Sequence, residues 1–114
     1  MTKNTMSIAE VFYTAMGNKN TGDMEKHLHP DVQFTAPLAT LKGKEAYLEA
    51  LKAFMNFFNT LTIRSLFGSK DQAMVVYDLD VPASIGNFSA AAHLTFQEDL
   101  ISKIELFYDA RPFE

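Results

Sequence analysis

The sequence predicts an α+β domain in which a curved, mostly antiparallel sheet wraps around three N-terminal helices. Helix-period apolar patterns occupy the first half of the chain, and strand-like runs joined by short turns occupy the second half. The clearest of these runs is residues 88–109, where two stretches of alternating character flank Gln97 to Leu100. Side chains alternate across a strand, so this stretch predicts an antiparallel hairpin with one buried face.

Length, charge and composition limit the classes of function. The 114 residues predict a single domain over residues 1–114, with residues 1–6 as a loosely ordered tail. Ten basic and fourteen acidic residues give a net charge of −4 without a basic stripe, so we expect no nucleic-acid partner. The chain lacks cysteine and any apolar run of membrane length, which predicts a cytoplasmic protein with no membrane partner. No pattern calls for a cofactor.

The first helix begins at an expected capping box, Ser7-Ile8-Ala9-Glu10, and ends near Gly17. Tyr13 lies off its apolar stripe and is expected to face solvent or a second subunit. The apolar stripe follows the helical repeat and consists of Ile8, Val11, Phe12, Ala15 and Met16.

A second, short helix follows, capped by Thr21 or Asp23 and ending near His29, because the residue before Pro30 is pushed out of helical geometry. The next segment is a short strand in which Val32, Phe34 and Ala36 alternate with polar residues. Residues 37–43 are expected to form a loop.

The longest helix is predicted over residues 44–58. Strands are predicted over residues 61–67 and 73–81, with a turn at 68–71 and a connection at 82–87 that leads into the hairpin. The inner stripe of the long helix is formed by Tyr47, Leu51, Phe54, Met55 and Phe58.

The hairpin register follows from the rule that opposed residues share a face. Leu94 should lie opposite Ile104, which a two-residue turn at Glu98-Asp99 alone would not allow. We therefore predict either a three-residue loop, residues 98–100, or a bulge that restores the pairing. In this register His93 faces Glu105 on the outer surface.

The order of helix, "TGDMEKHLHPDVQFTAP", "GKEAYLEAL", three strands and a closing "KIELFYD" resembles the SnoaL-like branch of the nuclear transport factor 2-like superfamily. The resemblance covers about residues 7–109. It implies a cystatin-like, cone-shaped sheet folded around the helices, a pocket at the wide end, and a homodimer through the outer sheet face.

Ketosteroid isomerases of this superfamily use a first-strand aspartate, a first-helix tyrosine and a second acid in the penultimate strand. By the resemblance, the first position holds Ala36, the acid in the penultimate strand is replaced by Ala92, and Tyr13 only loosely matches the tyrosine. Alanine neither takes nor donates a proton, so the usual ketosteroid-isomerase chemistry is not expected here.

The strongest catalytic candidates are Tyr77, Tyr108 and His27. Tyr77 and Tyr108 share faces with apolar strand residues, and each is either a core tyrosine or a phenol that orients a ligand or acts as a weak acid. His27 lies beside the apolar side of the short helix, either as a half-exposed residue or as an acid or base at the pocket mouth. His29 is expected to be exposed.

The remaining charged residues are assigned to the surface. Asp78 and Asp80 share a strand face, and turning them outward buries the better apolar set that contains Tyr77. Arg64 and Arg111 can pair with surface acids. No histidine spacing suits a metal, so no metal site is expected.

Two functional hypotheses remain open. The first is a hydrophobic pocket for a small apolar ligand, in either a binder or an isomerase-, cyclase- or hydrolase-type enzyme. The second is a non-catalytic homodimeric or protein-interaction module that uses an outer apolar patch of Met74, Val76, Ala91 and Phe107. The predicted ligand-binding residues are Phe12, Phe34, Ala36, Tyr47, Phe54, Tyr77, Ala92, Leu94 and Tyr108.

Overall fold

The computed structural model describes residues 4–81, 86–109 and 111, and within them it contains three helices and six strands. The helices are α1 (Thr5–Gly17), α2 (Thr21–Glu25) and α3 (Lys44–Met55). The strands are β1 (Leu28–Ala36), β2 (Ala39–Lys42), β3 (Thr60–Gly68), β4 (Gln72–Asp80), β5 (Asn87–Gln97) and β6 (Leu100–Tyr108). None of the described helices is long and apolar enough to cross a bilayer.

The strands form one curved, open sheet in the order β2-β1-β6-β5-β4-β3. Neighbouring strands are antiparallel except β1 and β6, which pair in parallel. Helix α1 packs against β3 and β4, and α3 packs against β1 and β2, so the helices cover one face of the sheet. The predicted α+β class with a mostly antiparallel sheet is confirmed.

The hairpin of β5 and β6 contains both a two-residue turn and a bulge. Glu98 and Asp99 have φ values of 52° and 67°, the left-handed geometry that a tight hairpin turn requires. The pairing then shifts between Thr95 and Phe96, which leaves Ser102 as the extra residue of β6. The bulge alternative is therefore confirmed and the three-residue loop is wrong.

The predicted pairs of this hairpin are also confirmed. Leu94 lies opposite Ile104, and both side chains are buried. His93 lies opposite Glu105 on the outer face, with 3.4 Å between its Nδ1 and the glutamate Oε1. The Ser102 hydroxyl donates a hydrogen bond of 3.1 Å to the carbonyl oxygen of Thr95, which fixes the bulge.

Helix α1 begins earlier than the capping box predicts. Asn4 is the N-cap, and its side-chain oxygen accepts hydrogen bonds from the amides of Met6 and Ser7. The buried Thr5 hydroxyl donates to the carbonyl oxygen of Ser69 at 2.7 Å, tying the helix start to the β3–β4 turn. Thr5 and Met6 therefore belong to the helix and not to a loose tail.

Two other helix predictions need correction. The side chain of Asn20, and not Thr21 or Asp23, caps α2, which ends at Glu25, before the predicted boundary near His29. Helix α3 ends at Met55, short of residue 58. Within α3, Tyr47, Leu51 and Met55 are buried, whereas Phe54 is only partly buried.

The predicted loop at residues 37–43 contains the additional strand β2. Its four residues pair with the end of β1, and Ala39 lies directly opposite Ala36. Gly43 follows with a φ of 94°, which favours glycine, and its amide donates to the carbonyl oxygen of Val32 at 2.8 Å. The tight β1–β2 hairpin was missed because a four-residue edge strand is too short to show an apolar repeat.

Lys19 fixes the C-terminal end of α3. Its ammonium group donates hydrogen bonds to the carbonyl oxygens of Met55 and Phe58 and lies 4.2 Å from the centre of the Phe58 ring. These carbonyl groups lie at and just beyond the helix end, where intrahelical donors are lacking. Lys19 therefore holds the end of α3 against the loop between α1 and α2.

Candidate functional site

A cavity of about 480 Å³ lies between the concave face of the sheet and the helices. Its volume is within the usual range of small-molecule sites, about 300–1,000 Å³. Most elements contribute to its wall, and the contributing residues are Tyr13, Met16, Phe34, Ala36, Leu38, Ala39, Leu41, Tyr47, Ala50, Leu51, Ala53, Phe54, Phe57, Tyr77, Leu79, Phe88, Ala90, Leu106 and Tyr108.

Strand alternation decides which residues of β4, β5 and β6 reach this cavity. Tyr77 lies opposite Ala90, which lies opposite Tyr108, so these three side chains form one row across the inner face. Asp78 lies on the other face with an exposed side chain. The predicted inward orientation of Tyr77 and Tyr108 is therefore confirmed.

The mouth of the cavity lies between the β1–β2 hairpin and α3. The lining residues Leu38, Ala39, Ala50 and Ala53 are exposed, with Leu38 at 52%. Three of these four side chains are methyl groups, which keep the opening wide. Within the described part of the chain, the exposed lining residues at the mouth are therefore all apolar.

Three buried tyrosines also line the cavity. Tyr13, Tyr47 and Tyr77 are 1%, 4% and 2% exposed, and we call them the phenol cluster. The rings of Tyr13 and Tyr77 lie 5.0 Å apart, and the ring of Tyr47 lies 5.2 Å from that of Phe34.

The hydroxyl groups of the phenol cluster have no hydrogen-bond partner among the described residues. Every fully enclosed polar side-chain atom of the described residues does have a partner. The three hydroxyls therefore border the open volume of the cavity, where a ligand or water can reach them.

Burial keeps these phenols protonated. It raises the pKa of Tyr13 well above its ordinary value, and the nearby phenols of Tyr77 and Tyr47 raise this pKa further. Burial followed by the Tyr77 phenol likewise raises the pKa of Tyr47, and burial followed by the Tyr108 phenol raises the pKa of Tyr77. At neutral pH all three groups are hydrogen-bond donors and not bases.

The cavity lining contains no charged side chain and no histidine within the described part of the chain. Ala36 lines the wall with a methyl group, and Ala92 is fully buried in the core. The phenols can donate to or accept from a ligand oxygen, but none of these lining groups is an efficient base. Nor do residues 4–81, 86–109 and 111 contain a cluster of three His, Asp or Glu side chains that could hold a metal ion.

Six of the nine predicted ligand-binding residues line the cavity: Phe34, Ala36, Tyr47, Phe54, Tyr77 and Tyr108. Phe12, Ala92 and Leu94 are instead fully buried in the core and are not part of the cavity wall. These three do face the helix–sheet interior, but there the helices pack directly on the sheet and leave no space.

The histidines lie outside the cavity wall. His27 is partly buried and is not a lining residue, so its predicted place at the pocket mouth is wrong. His29 is partly buried, and its Nδ1 accepts a hydrogen bond of 3.0 Å from the amide of Asp31. His93 pairs with Glu105 on the outer face, as expected.

The surface pairs of charges also follow the predicted register. Arg64 lies 3.6 Å from Asp78, whose carboxylate also accepts a hydrogen bond of 2.6 Å from Ser89. The hydrogen bonds that Arg111 donates lower the pKa of the exposed Asp109 carboxyl to about 2. These acids take part in surface ion pairs.

Tyr13 is the main cavity residue that sequence reasoning missed. The expected orientation toward solvent or a second subunit is wrong, because Tyr13 is buried whereas Val11 is 50% exposed. The sequence does contain a pattern that predicts a buried Tyr13, because a second set of residues also follows the helical repeat: Ile8, Ala9, Phe12, Tyr13 and Met16. A stripe that contains Val11 instead of Tyr13 is rotated about the helix axis and leaves Tyr13 outside it.

The family model of the SnoaL-like domain matches residues 9–104. No curated protein shows significant sequence similarity to the chain. Among solved structures, an NTF2-like protein of unknown function from Cytophaga hutchinsonii ATCC 33406 is 18% identical, with a TM-score of 0.84 and coverage of 100% of this chain and 98% of that chain.

Two further structures share the fold. A protein from Kribbella flavida DSM 17836, provisionally assigned as a ketosteroid isomerase, is 18% identical, with a TM-score of 0.83 and coverage of 92% of this chain and 77% of that chain. TerC, which was co-crystallized with polyporic acid, is 16% identical, with a TM-score of 0.80 and coverage of 96% and 94%. Because the family match spans most of its length, this chain belongs to the SnoaL-like domain family.

Proposed function

We propose that the protein binds a small apolar molecule in the cavity between the sheet and the helices. The observation that carries the proposal is an apolar cavity of about 480 Å³ whose described lining is free of charged groups. A molecule that fills it exchanges water contact for contact with aromatic and aliphatic side chains, which is the main source of affinity in such sites.

Binding is better supported than turnover. Isomerases, cyclases and hydrolases commonly use a general base near the reacting atom. The described lining offers neutral phenols, and the resemblance to ketosteroid isomerases implies that Ala36 and Ala92 stand at the two positions where those enzymes hold acids. A phenol can still polarise a ligand carbonyl, so weak acid catalysis by Tyr77 or Tyr108 is the reaction class to test.

The proposal is tested by thermal-shift screening with steroid-like, terpenoid and aromatic polyketide compounds. A compound that binds the native state raises the unfolding temperature by mass action. The Ala53→Phe variant should abolish the shift, because residue 53 lines the cavity mouth.

The matched control is Ala46→Phe, which alters an exposed residue of α3 that does not line the cavity. It should leave the shift unchanged. If none of the compounds stabilises the parent protein, or if both variants respond alike, the proposal is wrong.

A second candidate is self-association through the outer face of the sheet. Val76, Ala91 and Phe107 are cross-strand neighbours there, and Phe67 lies opposite Met74. Phe67 and Phe107 are 61% and 52% exposed, which is unusual for residues of this size. We propose that a second copy of the chain covers this surface, which would give a dimer with two separate cavities.

Sedimentation at micromolar concentration tests the dimer. Phe107→Lys should convert a dimer to a monomer, because it places a charge within the patch. Gln97→Lys, an exposed change at the end of the same sheet face, is the control and should remain dimeric. A monomeric parent protein would refute the second candidate.

A further inference from the structure

Lys19 occupies a backbone position that favours glycine. Its φ of 61° lies in the left-handed region, where the chain turns after α1. The amide of Lys19 donates a hydrogen bond of 3.0 Å to the carbonyl oxygen of Met16, and the amide of Asn20 donates one of 2.9 Å to that of Ala15. Helices often end in this geometry with glycine, because a Cβ is disfavoured there. What lysine adds at this position is its side chain.

That side chain reaches residues 54–58 at the end of α3, which we call the aromatic segment. The ammonium group of Lys19 donates hydrogen bonds to the carbonyl oxygens of Met55 and Phe58, on either side of Phe57. It also lies 4.2 Å from the centre of the Phe58 ring. A charged donor forms stronger hydrogen bonds than a neutral one, so one ammonium group connects the two ends of this turn.

The aromatic segment is also part of the cavity wall. Phe54 and Phe57 line the cavity, and both are only partly buried. The ring of Phe54 lies 5.3 Å from the ring of Phe58, which is 2% exposed. A ring that is not enclosed on every side depends on its backbone and its neighbours for its position. The contacts of Lys19 therefore act on the wall through Phe58 and through the backbone of the segment.

Two backbone hydrogen bonds also order this region. The amide of Phe57 donates to the carbonyl oxygen of Phe54 at 2.8 Å, which closes a turn within the segment. The amide of Asn59 donates to that of Asp80 at 2.7 Å, which ties the start of β3 to β4. Neither bond connects the aromatic segment to the loop between α1 and α2, and Lys19 supplies that connection.

We propose that Lys19 is a positioning residue for the cavity: its ammonium group keeps Phe54 and Phe57 in the wall and thereby slows the release of a bound molecule. Lys19 does not itself line the cavity. The proposal rests on the proposed binding function and adds a residue that controls how long the ligand is retained. Without the ammonium group the segment opens more often, and a ligand leaves from the open state.

Hydrogen exchange of the full chain, measured by mass spectrometry, tests the hold on the segment. Lys19→Met removes the donors and keeps the apolar stem, so exchange over residues 54–59 should become at least about tenfold faster. Lys19→Arg retains a charged donor and should stay close to the parent protein. The matched control Lys26→Met breaks an exposed 3.1 Å ion pair with Asp23 and should leave this exchange unchanged. Unchanged exchange in Lys19→Met would overturn the proposal.

Lys19→Gly separates positioning from overall stability. It removes the same side-chain contacts, but glycine suits the left-handed backbone, so this variant should unfold at a higher temperature than Lys19→Met. Both variants should nevertheless show the same fast exchange in the aromatic segment. If the exchange rate instead follows the unfolding temperature, Lys19 acts only through overall stability and the positioning role is wrong.

Ligand retention is measured with N-phenyl-1-naphthylamine, an uncharged aromatic dye whose fluorescence rises in apolar surroundings. Lys19→Met and Lys19→Gly should release the dye at least about threefold faster than the parent protein in stopped-flow dilution, and Lys26→Met should match the parent. Equal release rates would refute the link between Lys19 and the cavity. If the dye and every screened compound fail to bind the parent protein, the proposed function is wrong, while the exchange rates still decide whether Lys19 positions the segment.

Discussion

The inner and outer faces of β4, β5 and β6 are built from alternate residues of the same strands, yet they have opposite chemistry. The inner face carries Val75, Tyr77 and Leu79 from β4, all of them buried. The outer face carries Asp78 from the same strand, with its side chain 43% exposed and paired to Arg64. The comparison shows that a displacement of one residue is enough to exchange an apolar wall for a charged surface.

The inner face is itself divided. Leu94 and Ile104 lie opposite each other in the filled core, whereas Ala90 and Tyr108 lie opposite each other at the cavity wall. All four side chains point toward the helices. Whether such a residue packs in the core or borders open space depends on how closely the helices approach the sheet at that point.

Single-residue deletions in β6 should give the largest effect and test the comparison directly. Deleting Glu105 forces either Leu106 and Tyr108 outward or Lys103 into the core, because the two parts of the strand lose their common register. We expect a loss of more than about 4 kcal/mol in the free energy of unfolding. Urea denaturation followed by circular dichroism measures it.

The matched control is the deletion of Ser102, three residues earlier. Ser102 is the extra residue of the bulge, so its removal leaves a regular hairpin in which Ile101 and Ile104 still face inward. This variant should lose at most about 2 kcal/mol, mainly through the lost hydrogen bond and altered twist. Equal losses in the two deletion variants would show that register does not separate the two faces.

The second prediction concerns the division of the inner face. Leu94→Ala removes a side chain that is 0% exposed in the core and should cost about 3–5 kcal/mol. Leu106→Ala makes the same chemical change at the cavity wall, where the side chain is only partly buried, and should cost about 1–2 kcal/mol. Thermal and urea unfolding give both values, and a reversed order would contradict the assignment of cavity and core.

The third prediction uses the raised pKa values of the phenol cluster. The native state holds these protons at a pH where unfolded tyrosines, with a pKa of about 10, have lost theirs. The contribution of the three buried tyrosines to the free energy of unfolding is therefore complete below pH 10. It is lost as the pH rises above 10, by up to about 1.4 kcal/mol per pH unit for each tyrosine.

Tyrosinate absorbance near 295 nm measures this titration, and the absence of tryptophan keeps the signal clean. Of the four tyrosines, Tyr108 should ionise first in the native protein. Burial raises its pKa too, but Tyr108 is only partly buried, whereas the other three tyrosines are almost fully buried. The other three should ionise together with unfolding. Four tyrosines that titrate before unfolding would show that the cluster is open to solvent.

The smallest effect is expected on the outer face. Arg64→Ala removes a 3.6 Å ion pair with Asp78 between two exposed side chains, and the Ser89 hydroxyl still donates to that carboxylate. The free energy of unfolding should fall by less than about 1 kcal/mol. Denaturation at low and high salt measures this, and a larger loss would mean that the outer face contributes more to stability than its exposure implies.

Much of the fold could be predicted because strand alternation is local. The alternation of side chains along the strands predicts the buried pair Leu94 and Ile104 and the outward orientation of Asp78. It also predicts that the hairpin needs either a bulge or a three-residue loop, and the structure contains the bulge. The rotation of α1 could not be fixed in this way, because its sequence supports two apolar stripes, one containing Val11 and the other Tyr13. The predicted connection at residues 82–87 lies largely outside the described residues.

The sequence by itself determined which side chains of the late strands face the helices. Successive side chains of a strand point to opposite faces of the sheet, so the order of residues is enough to assign each one to a face. The tertiary structure decided that the helices separate from the sheet beside Tyr47 and Tyr77 but pack on it at Phe12, Ala92 and Leu94. The distance between the helices and the sheet depends on the volumes of side chains from elements far apart in the chain, and no local sequence pattern contains this information. The same packing brought Tyr13 to the cavity and completed the phenol cluster.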